Sequence, residues 1–157
     1  MEATSDSREK CRLDIRPVQE FDLQKYLGKW YELARYEHTF EKGLSACTAE
    51  YSLRDDGKIR VLNSGFDAAK GKRSQIIGKA KTTDTIARLR VSFFWFFYSD
   101  YRVLALGDGY SWALVGGSTD KYLWILSRTD TLPKEEMDKI LAEAQRRGYD
   151  TSRLHFN

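Results

Sequence analysis

From residue 29 onward the chain alternates apolar and polar residues with a period of two, as β-strands do when one face is enclosed and the other is wet. Turn signals such as Asp55-Asp56-Gly57 and Gly107-Asp108-Gly109 interrupt the alternation. Eight strands are predicted between such interruptions, at 29–38, 47–54, 58–66, 74–82, 87–95, 101–107, 111–117 and 121–128. Because eight antiparallel strands close a small barrel, the pattern predicts an all-β fold, an eight-stranded antiparallel up-and-down β-barrel.

The alternation also predicts which side chains point into the barrel. The enclosed face of the third strand carries Ile59, Val61, Asn63 and Gly65, and its wet face carries Lys58, Arg60 and Ser64. In the fifth strand Leu89, Val91 and Phe93 face inward, whereas Arg88, Arg90 and Ser92 face outward. Other inward positions mix small with large residues, namely Ala49, Gly78, Ala80 and Ala105 with Tyr51, Tyr101 and Trp124. Such a mixture predicts an apolar slot that suits an acyl chain.

Two segments have helical spacing instead. The segment 21–27 has Asp22 near its start and apolar residues at helical intervals, and Gly28 is expected to end it. After the last strand, Pro133 opens a second helix with acidic residues in its first turn. Its apolar stripe is Met137, Ile140, Leu141 and Ala144. We therefore expect a short N-terminal helical turn and one C-terminal helix packed on the barrel wall.

Size and charge narrow the range of functions. A chain of 157 residues suits one core, expected as a polar arm at 1–20 and a single domain at 21–157. The 26 basic and 23 acidic residues are interspersed along the chain, so no nucleic-acid partner is expected. No apolar run of about eighteen residues occurs that would predict a transmembrane helix. Residues 1–10 lack the apolar middle of a secretory signal, which leaves a processed chain and a cytosolic chain as alternatives.

The two cysteines leave two possibilities open. Cys11 and Cys47 either form one bridge, if the arm folds back beside the second strand, or remain two thiols. Neither a CxxC nor a Cys/His pattern is present, so no metal and no cofactor are predicted. The residues before Cys11 are charged, and no acylation is predicted at that position.

Four stretches carry a resemblance to a known family. They are YLGKWYE at 26–32, YSLRDDG at 51–57, VSFF at 91–94 and YLWILSRT at 122–129. Their order resembles the lipocalin family over 21–156, most closely the bacterial outer-membrane lipocalins of the Blc type, with similarity also to apolipoprotein D and plant temperature-induced lipocalins. The second family motif is only partly present, at 107–110, and no cysteine follows Cys47 to form the bridge of apolipoprotein D-like chains.

One end of the barrel is predicted to be closed beneath its first strand. Gly28 lets the chain turn sharply there, and Trp30 supplies a large ring that plugs the narrow end. Since the first strand starts where the eighth finishes, Arg128 is expected to stack on Trp30 as a cation–π contact. Tyr31 is assigned to the same structural floor, and no catalytic role is expected for any of these residues.

The resemblance implies that the barrel binds and stores or transports a fatty acid or lysophospholipid for bacterial envelope lipid maintenance. It carries over Asn63, Phe93 and Trp124 as pocket residues. The other expected lining residues are Tyr51, Val61, Val91, Tyr101 and Tyr122. The alternative for each of these residues is that it contacts no ligand and packs in a barrel filled by its own side chains. The implied location is the periplasm and outer membrane, whereas a native start at Met1 would indicate the cytosol.

The open mouth is expected opposite Trp30. It contains four consecutive aromatic residues, Trp95, Phe96, Phe97 and Tyr98. Because these cannot all point inward, some are expected at the entrance, where they contact a membrane surface, form a homodimer or pack as a lid over the ligand. Lys70, Lys72 and Arg73 on the next mouth loop either attract a phosphate or carboxylate head group or form a solvated loop.

Two further functions remain as alternatives, a lipocalin-fold enzyme acting on its lipid ligand and an interaction protein with a filled barrel. Catalysis needs a reactive group in the cavity. His38 and His155 fall at the mouth and the tail, and Cys47 has no evident base. We therefore expect that the protein is not an enzyme, and the absence of an inward histidine ligand argues against haem.

Overall fold

Within residues 13–37, 43–94 and 97–157, which the computed structural model describes, the chain forms nine strands and two α-helices. The strands are β1 (Gly28–Tyr36), β2 (Leu44–Leu53), β3 (Ile59–Asp67), β4 (Lys72–Thr82), β5 (Arg88–Phe94), β6 (Phe97–Leu106), β7 (Trp112–Gly116), β8 (Leu123–Ser127) and β9 (Leu154–Phe156). The helices are α1 (Leu23–Tyr26) and α2 (Lys134–Arg146), and short 3₁₀ turns lie at Asp108–Tyr110 and Thr151–Arg153.

The first eight strands close into a barrel. Each pairs antiparallel with the next, and β1 pairs with both β2 and β8, which joins the two ends of the sheet. The predicted fold, an eight-stranded antiparallel barrel with an N-terminal helical turn and one main helix, is confirmed. The boundaries differ by a few residues, most at β6, which begins at Phe97 rather than at residue 101.

β1 contains a bulge that changes its facing pattern. It has one extra residue between Glu32 and Ala34 relative to β8. Above the bulge Ala34 and Tyr36 pack on the outside of the barrel, while Arg35 is paired with Trp124. The upper half of β1 also pairs with β9, a strand that the sequence pattern did not predict because three residues are too few to show a period.

Apolar side chains form two clusters, one on each side of the barrel wall. The inner cluster includes Tyr26, Trp30, Tyr51, Val61, Leu89 and Tyr101. The outer cluster joins the wall to α2 and includes Leu104, Leu114, Leu123, Ile125, Ile140 and Ala144. Because α2 covers them, β7 is buried on both faces and β8 is almost fully buried. No helix in the described ranges is long and apolar enough to cross a membrane.

One facing prediction was wrong, and the residue concerned is next to a register shift. Ala105 was expected inside the barrel but packs with the outer cluster, because β6 carries an extra residue between Val103 and Ala105. Ser92 faces outward as predicted, between the inward Val91 and Phe93, but it is buried and not wet. A single inserted residue reverses the alternation beyond it, which a period of two does not reveal.

The described part of the N-terminal arm, residues 13–20, packs against the barrel and α2. The Val18 amide donates to the Val103 carbonyl at 2.9 Å, and Val18 packs on the inner cluster. The Arg147 guanidinium, just past α2, donates to the carbonyls of Asp14 and Arg16 at 3.0 and 2.9 Å. These contacts hold this part of the arm on the domain, whereas its composition alone predicts a polar extension.

Candidate functional site: the barrel cavity

The barrel encloses a cavity of about 380 Å³. Every residue expected to contact a ligand lines it, namely Tyr51, Val61, Asn63, Val91, Phe93, Tyr101, Tyr122 and Trp124. Seven of these side chains come from five strands and Tyr122 comes from the residue before β8, and period-two alternation brings them to one enclosed space. The volume falls in the range of pockets that hold one small ligand, so the barrel is not filled by its own side chains.

The middle of the cavity is apolar. Val61 and Val91 face it from β3 and β5, and Phe93 lies one inward position closer to the mouth. Phe93 fits because Gly78 has no side chain: a Cβ at Gly78 would lie only 2.6 Å from Cδ1 of the Phe93 ring. Val115 and Leu126 complete this zone from β7 and β8. The apolar zone can bury methylene groups but offers them no directional contact.

Two stacked rings form one side of the upper cavity. Tyr122 and Trp124 both line it, with ring centroids 5.7 Å apart and an interplanar angle of 4°. The strand register places Trp124 opposite Val115 on one side and Arg35 on the other. The pair therefore presents a broad, flat surface to whatever enters.

The part of the cavity nearer the mouth carries polar groups. Asn63 lies on β3 between Ala49 and Ile76, and its partly exposed side chain lines the cavity. Above it, the Gln75 amide donates to the Ser64 hydroxyl at 3.3 Å, and both residues line the cavity. The cavity thus becomes more polar towards its opening, which suits an amphipathic ligand.

The deep end carries three tyrosines whose hydroxyls meet, and we call Tyr26, Tyr51 and Tyr101 the tyrosine triad. The Tyr101 hydroxyl is hydrogen-bonded to that of Tyr26 and, at 3.0 Å, to that of Tyr51. Burial raises the pKa of Tyr26 and of Tyr101 well above the usual range, so these phenols stay neutral. The alternation predicted the inward positions of Tyr51 and Tyr101, but Tyr26 reaches the barrel from α1 and was missed.

Beneath the triad, Trp30 and Arg128 close the barrel. The guanidinium carbon of Arg128 lies 3.7 Å from the Trp30 ring centroid. Arg128 also donates to the carbonyls of Lys25, Leu27 and Lys29, at 2.8, 3.0 and 2.8 Å. These contacts fasten the turn after α1 to the barrel, with Gly28 at a φ of +102°. Trp30 is fully buried, and neither Trp30 nor Arg128 lines the cavity.

Tyr31 does not belong to this floor. It is next to the inward-facing Trp30, so its side chain emerges on the outer surface of β1. The Lys29 ammonium lies 4.8 Å from the Tyr31 ring centroid on that surface. The assignment of Tyr31 to the floor was wrong because neighbours along a strand face opposite sides.

Part of the predicted mouth lies outside the described residues. This holds for His38, Trp95 and Phe96, and for Phe97 only the backbone is described. Tyr98 is partly buried and lies beneath the Lys81 ammonium, which is 4.4 Å from its ring centroid. Since Lys81 is on the wet face of β4, this contact places Tyr98 on the outer wall and not in the cavity.

The remaining candidate chemistry lies around the cavity. Cys47 is buried and lines it, with its Sγ 3.7 Å from Nη1 of Arg35, whereas the other cysteine, Cys11, lies outside the described residues. His155 is exposed on β9. Nowhere in the described ranges do three or more histidine, cysteine or acidic residues gather in a group that could hold a metal.

Comparison with known proteins agrees with this architecture. The family model described as "Lipocalin-like domain" matches residues 21–157. The outer membrane lipoprotein Blc of Escherichia coli K12 is 50% identical over 142 residues, 89% of this chain and 80% of that protein. Among solved structures, insecticyanin from the tobacco hornworm Manduca sexta superposes with a TM-score of 0.76 at 25% identity, covering 93% of this chain and 85% of that one.

More distant relatives extend the same family. Temperature-induced lipocalin-1 of Arabidopsis thaliana is 35% identical over 94% of this chain and 83% of its own length. Apolipoprotein D of Macaca fascicularis is 44% identical over 78% of this chain and 69% of its own length. The resemblance identified from the sequence motifs is thus confirmed, and the chain belongs to the lipocalin-like family.

Proposed function

We propose that this protein binds one single-chain lipid, a fatty acid or a lysophospholipid, with the acyl chain in the barrel cavity and the head group at the mouth. The observation that carries the proposal is the 380 Å³ cavity, which has an apolar middle and a polar upper rim. Burying a methylene group contributes about 0.8 kcal/mol, so a chain of a dozen methylenes offsets the cost of ordering the ligand.

The charge near the mouth favours an anionic or zwitterionic head group. The hairpin between β3 and β4 carries Lys70, Lys72 and Arg73, all exposed. Arg73 is anchored by donating to the Ala46 carbonyl at 3.1 Å, which holds its charge next to the start of β2. A carboxylate or phosphate at the entrance would therefore meet a positive potential, while its chain enters the neutral interior.

In this proposal Asn63, Phe93 and Trp124 contact the ligand at successive depths. The Asn63 amide would bond to the polar part just below the head group, and the two rings would pack on the chain. Replacing Asn63 by Leu should weaken a lysophospholipid more than a plain fatty acid. Trp124→Ala should weaken both, because it removes one wall of the cavity. Equal affinities across these variants and the wild type would contradict these contacts.

The proposed setting is the bacterial envelope. The relatives from Escherichia coli and Vibrio cholerae, 50% and 48% identical, are both named outer membrane lipoprotein. A lipid carrier that faces the periplasm from that membrane would store or transport single-chain lipids during envelope lipid maintenance. Fractionation of the native host with an antibody tests this, since recovery in the cytosolic fraction would contradict it.

The decisive experiment for binding compares two phenylalanine substitutions on β2. Ala49 lines the cavity, whereas the nearby Ser52 is exposed on the outer face. Delipidated wild type, Ala49→Phe and Ser52→Phe are titrated with a fluorescent fatty acid, and bound lipid is identified by native mass spectrometry. Displacing two methylenes should raise the Kd of Ala49→Phe about tenfold. Ser52→Phe should bind as the wild type does, and the absence of saturable binding by the wild type would refute the proposal.

A further inference from the structure

We propose that the tyrosine triad makes this protein selective for single-chain lipids that carry a hydroxyl group at the far end of the acyl chain. This inference rests on the proposed lipid-binding function and adds a ligand class to it. It starts from a feature of the cavity, which is apolar in its middle but is lined at its deep end by Tyr51 and Tyr101, two members of a hydrogen-bonded cluster of three phenols.

The geometry places the triad where the tip of a bound chain would lie. Tyr51 is paired with Gly28 at the bottom of β1, and Tyr101 with Leu89 near the start of β5. Both tyrosines line the cavity, and both retain a small exposed fraction, 7% and 9%. Tyr26 lies behind them with 1% exposure. A chain that enters from the mouth and passes the valines therefore ends against Tyr51 and Tyr101.

The hydrogen-bonding capacity of the triad exceeds its internal bonds. Each phenol oxygen has one proton to donate and two lone pairs to accept. The two bonds between Tyr101 and its neighbours use two of the three protons and two of the six lone pairs. Lone pairs that these two bonds do not use can accept from a group outside the triad. A terminal hydroxyl can both donate and accept, so it can join either end of such a chain of hydroxyls.

Charge decides which polar group fits this end. A carboxylate would have to be buried against neutral phenols, which is costly without a cation beside it. The nearest floor cation, Arg128, lies under the Trp30 ring and is engaged with backbone carbonyls. The basic residues of the β3–β4 hairpin lie at the opposite end. The acidic head group therefore stays at the mouth, and the group that reaches the triad is uncharged.

A purely apolar chain end would gain little from this arrangement. A methyl group placed against phenol oxygens shields them from water without replacing their hydrogen bonds. Sites built to bond a hydroxyl discriminate against ligands that lack it, because buried polar groups are then left with fewer partners. Since the triad already satisfies part of its own capacity, we expect about tenfold discrimination and not the larger factors seen when a site depends on the ligand entirely.

The test uses three fatty acids of equal length, hexadecanoic acid, 16-hydroxyhexadecanoic acid and 2-hydroxyhexadecanoic acid. Each is titrated into the delipidated full chain by competition with a fluorescent fatty acid. The measured quantity is the ratio of the Kd of each hydroxy acid to that of hexadecanoic acid, compared between variants. The 2-hydroxy acid places its hydroxyl at the mouth, so it controls for the effect of a hydroxyl far from the triad.

Tyr101→Phe removes the central oxygen of the triad while keeping the ring. We expect the preference for the 16-hydroxy acid to fall about tenfold relative to wild type, with no comparable change for the 2-hydroxy acid. Tyr51→Phe leaves the Tyr26 to Tyr101 bond in place and should reduce the preference in the same direction. Thermal unfolding identifies any variant that fails to fold, and the other then provides the test. Tyr31→Phe removes a phenol oxygen from the outer wall of β1 and should leave the ratio unchanged.

The outcomes separate this inference from the function on which it rests. Binding of all three acids to wild type, with the same ratios in Tyr101→Phe and Tyr51→Phe, would overturn the selectivity and leave lipid binding intact. No binding of any acid to the wild type would overturn both. A loss of preference confined to the two triad variants would support the inference.

Discussion

The Arg35 guanidinium lies 2.8 Å from the Glu32 carboxylate, and both side chains are almost completely buried in the barrel wall, at 0% and 6% exposure. The bulge in β1 brings them to this position, three residues apart on a strand that would otherwise place them on opposite faces. Arg35 also donates to the Leu44 carbonyl at 3.0 Å, and Asn157 donates to Glu32 at 2.9 Å. Along the upper part of β1, its neighbour is β9 and no longer β2. The network lies at this change of neighbour and links the end of β9 to the start of β2.

Removing the cation from this pair should destabilise the barrel strongly. Arg35→Met would leave the Glu32 carboxylate buried without its ion-pair partner, and a loss of about 3–5 kcal/mol in the free energy of unfolding is expected. Adding Glu32→Gln removes the stranded charge, so the double variant should recover part of the loss. Urea unfolding followed by tryptophan fluorescence measures both. A double variant as unstable as the sum of the two single variants would contradict the coupling.

This pair also shows where sequence reasoning reaches its limit. Simple alternation from Trp30 places Glu32 and Tyr36 inside and Arg35 outside, but the inserted residue moves Arg35 inward and Tyr36 outward. The eight strands were predictable because each has one face towards the enclosed interior. Pocket positions were also predictable where the strand alternates regularly as far as the residue concerned, as it does at Val61 and Asn63 on β3. Positions beyond a register shift were not, because a bulge leaves no mark in a period of two.

The floor contact gives a second prediction. Arg128→Ala removes the stack on Trp30 together with hydrogen bonds to five backbone carbonyls, and should lower the free energy of unfolding by at least about 2 kcal/mol. Arg128→Lys keeps the charge but not the planar fork, so it should recover only part of this. Arg153→Ala is the matched control, because Arg153 lies 4.2 Å from the Tyr36 ring centroid on the surface. Its loss should stay below about 1 kcal/mol.

Site residues that lie outside the strands were also not predicted from the sequence. Tyr26 lies in a segment with helical spacing, but a helical pattern does not predict that one of its side chains enters a barrel from below. The capping bond from the Gln24 amide to Asp22, at 3.0 Å, fixes the short helix that aims it there. Tertiary placement of a four-residue helix depends on contacts distant in sequence, such as those of Arg128.

A third prediction concerns pH. Burial by itself would raise the pKa of Asp100, but hydrogen bonds from Arg88 and Arg102, both 2.6 Å, outweigh it and hold the pKa below the usual value. A carboxyl whose pKa is depressed in the folded state contributes stability above its unfolded pKa of about 4, and loses it as the pH falls through the folded value. Asp100→Asn should therefore lower the Tm at pH 7, with the difference from wild type shrinking below pH 4. A difference that stays constant down to pH 2 would refute this ionic contribution.

The last prediction uses two tyrosines that face each other across the outer cluster, Tyr36 and Tyr149, whose ring centroids are 6.4 Å apart. The Tyr36 hydroxyl donates to the Asp150 carbonyl at 2.8 Å, whereas the Tyr149 hydroxyl is buried with no hydrogen-bond partner among the described residues. Burial raises the pKa of Tyr149 to about 12, so it stays neutral at physiological pH. An unsatisfied buried hydroxyl destabilises a fold, and deleting it removes that cost. Tyr149→Phe should therefore leave the free energy of unfolding unchanged or raise it by up to about 1 kcal/mol, while Tyr36→Phe should lower it by about 1 kcal/mol. Thermal and urea unfolding of the two variants decide this, and a loss in Tyr149→Phe as large as that in Tyr36→Phe would show that the Tyr149 hydroxyl has a partner in solution.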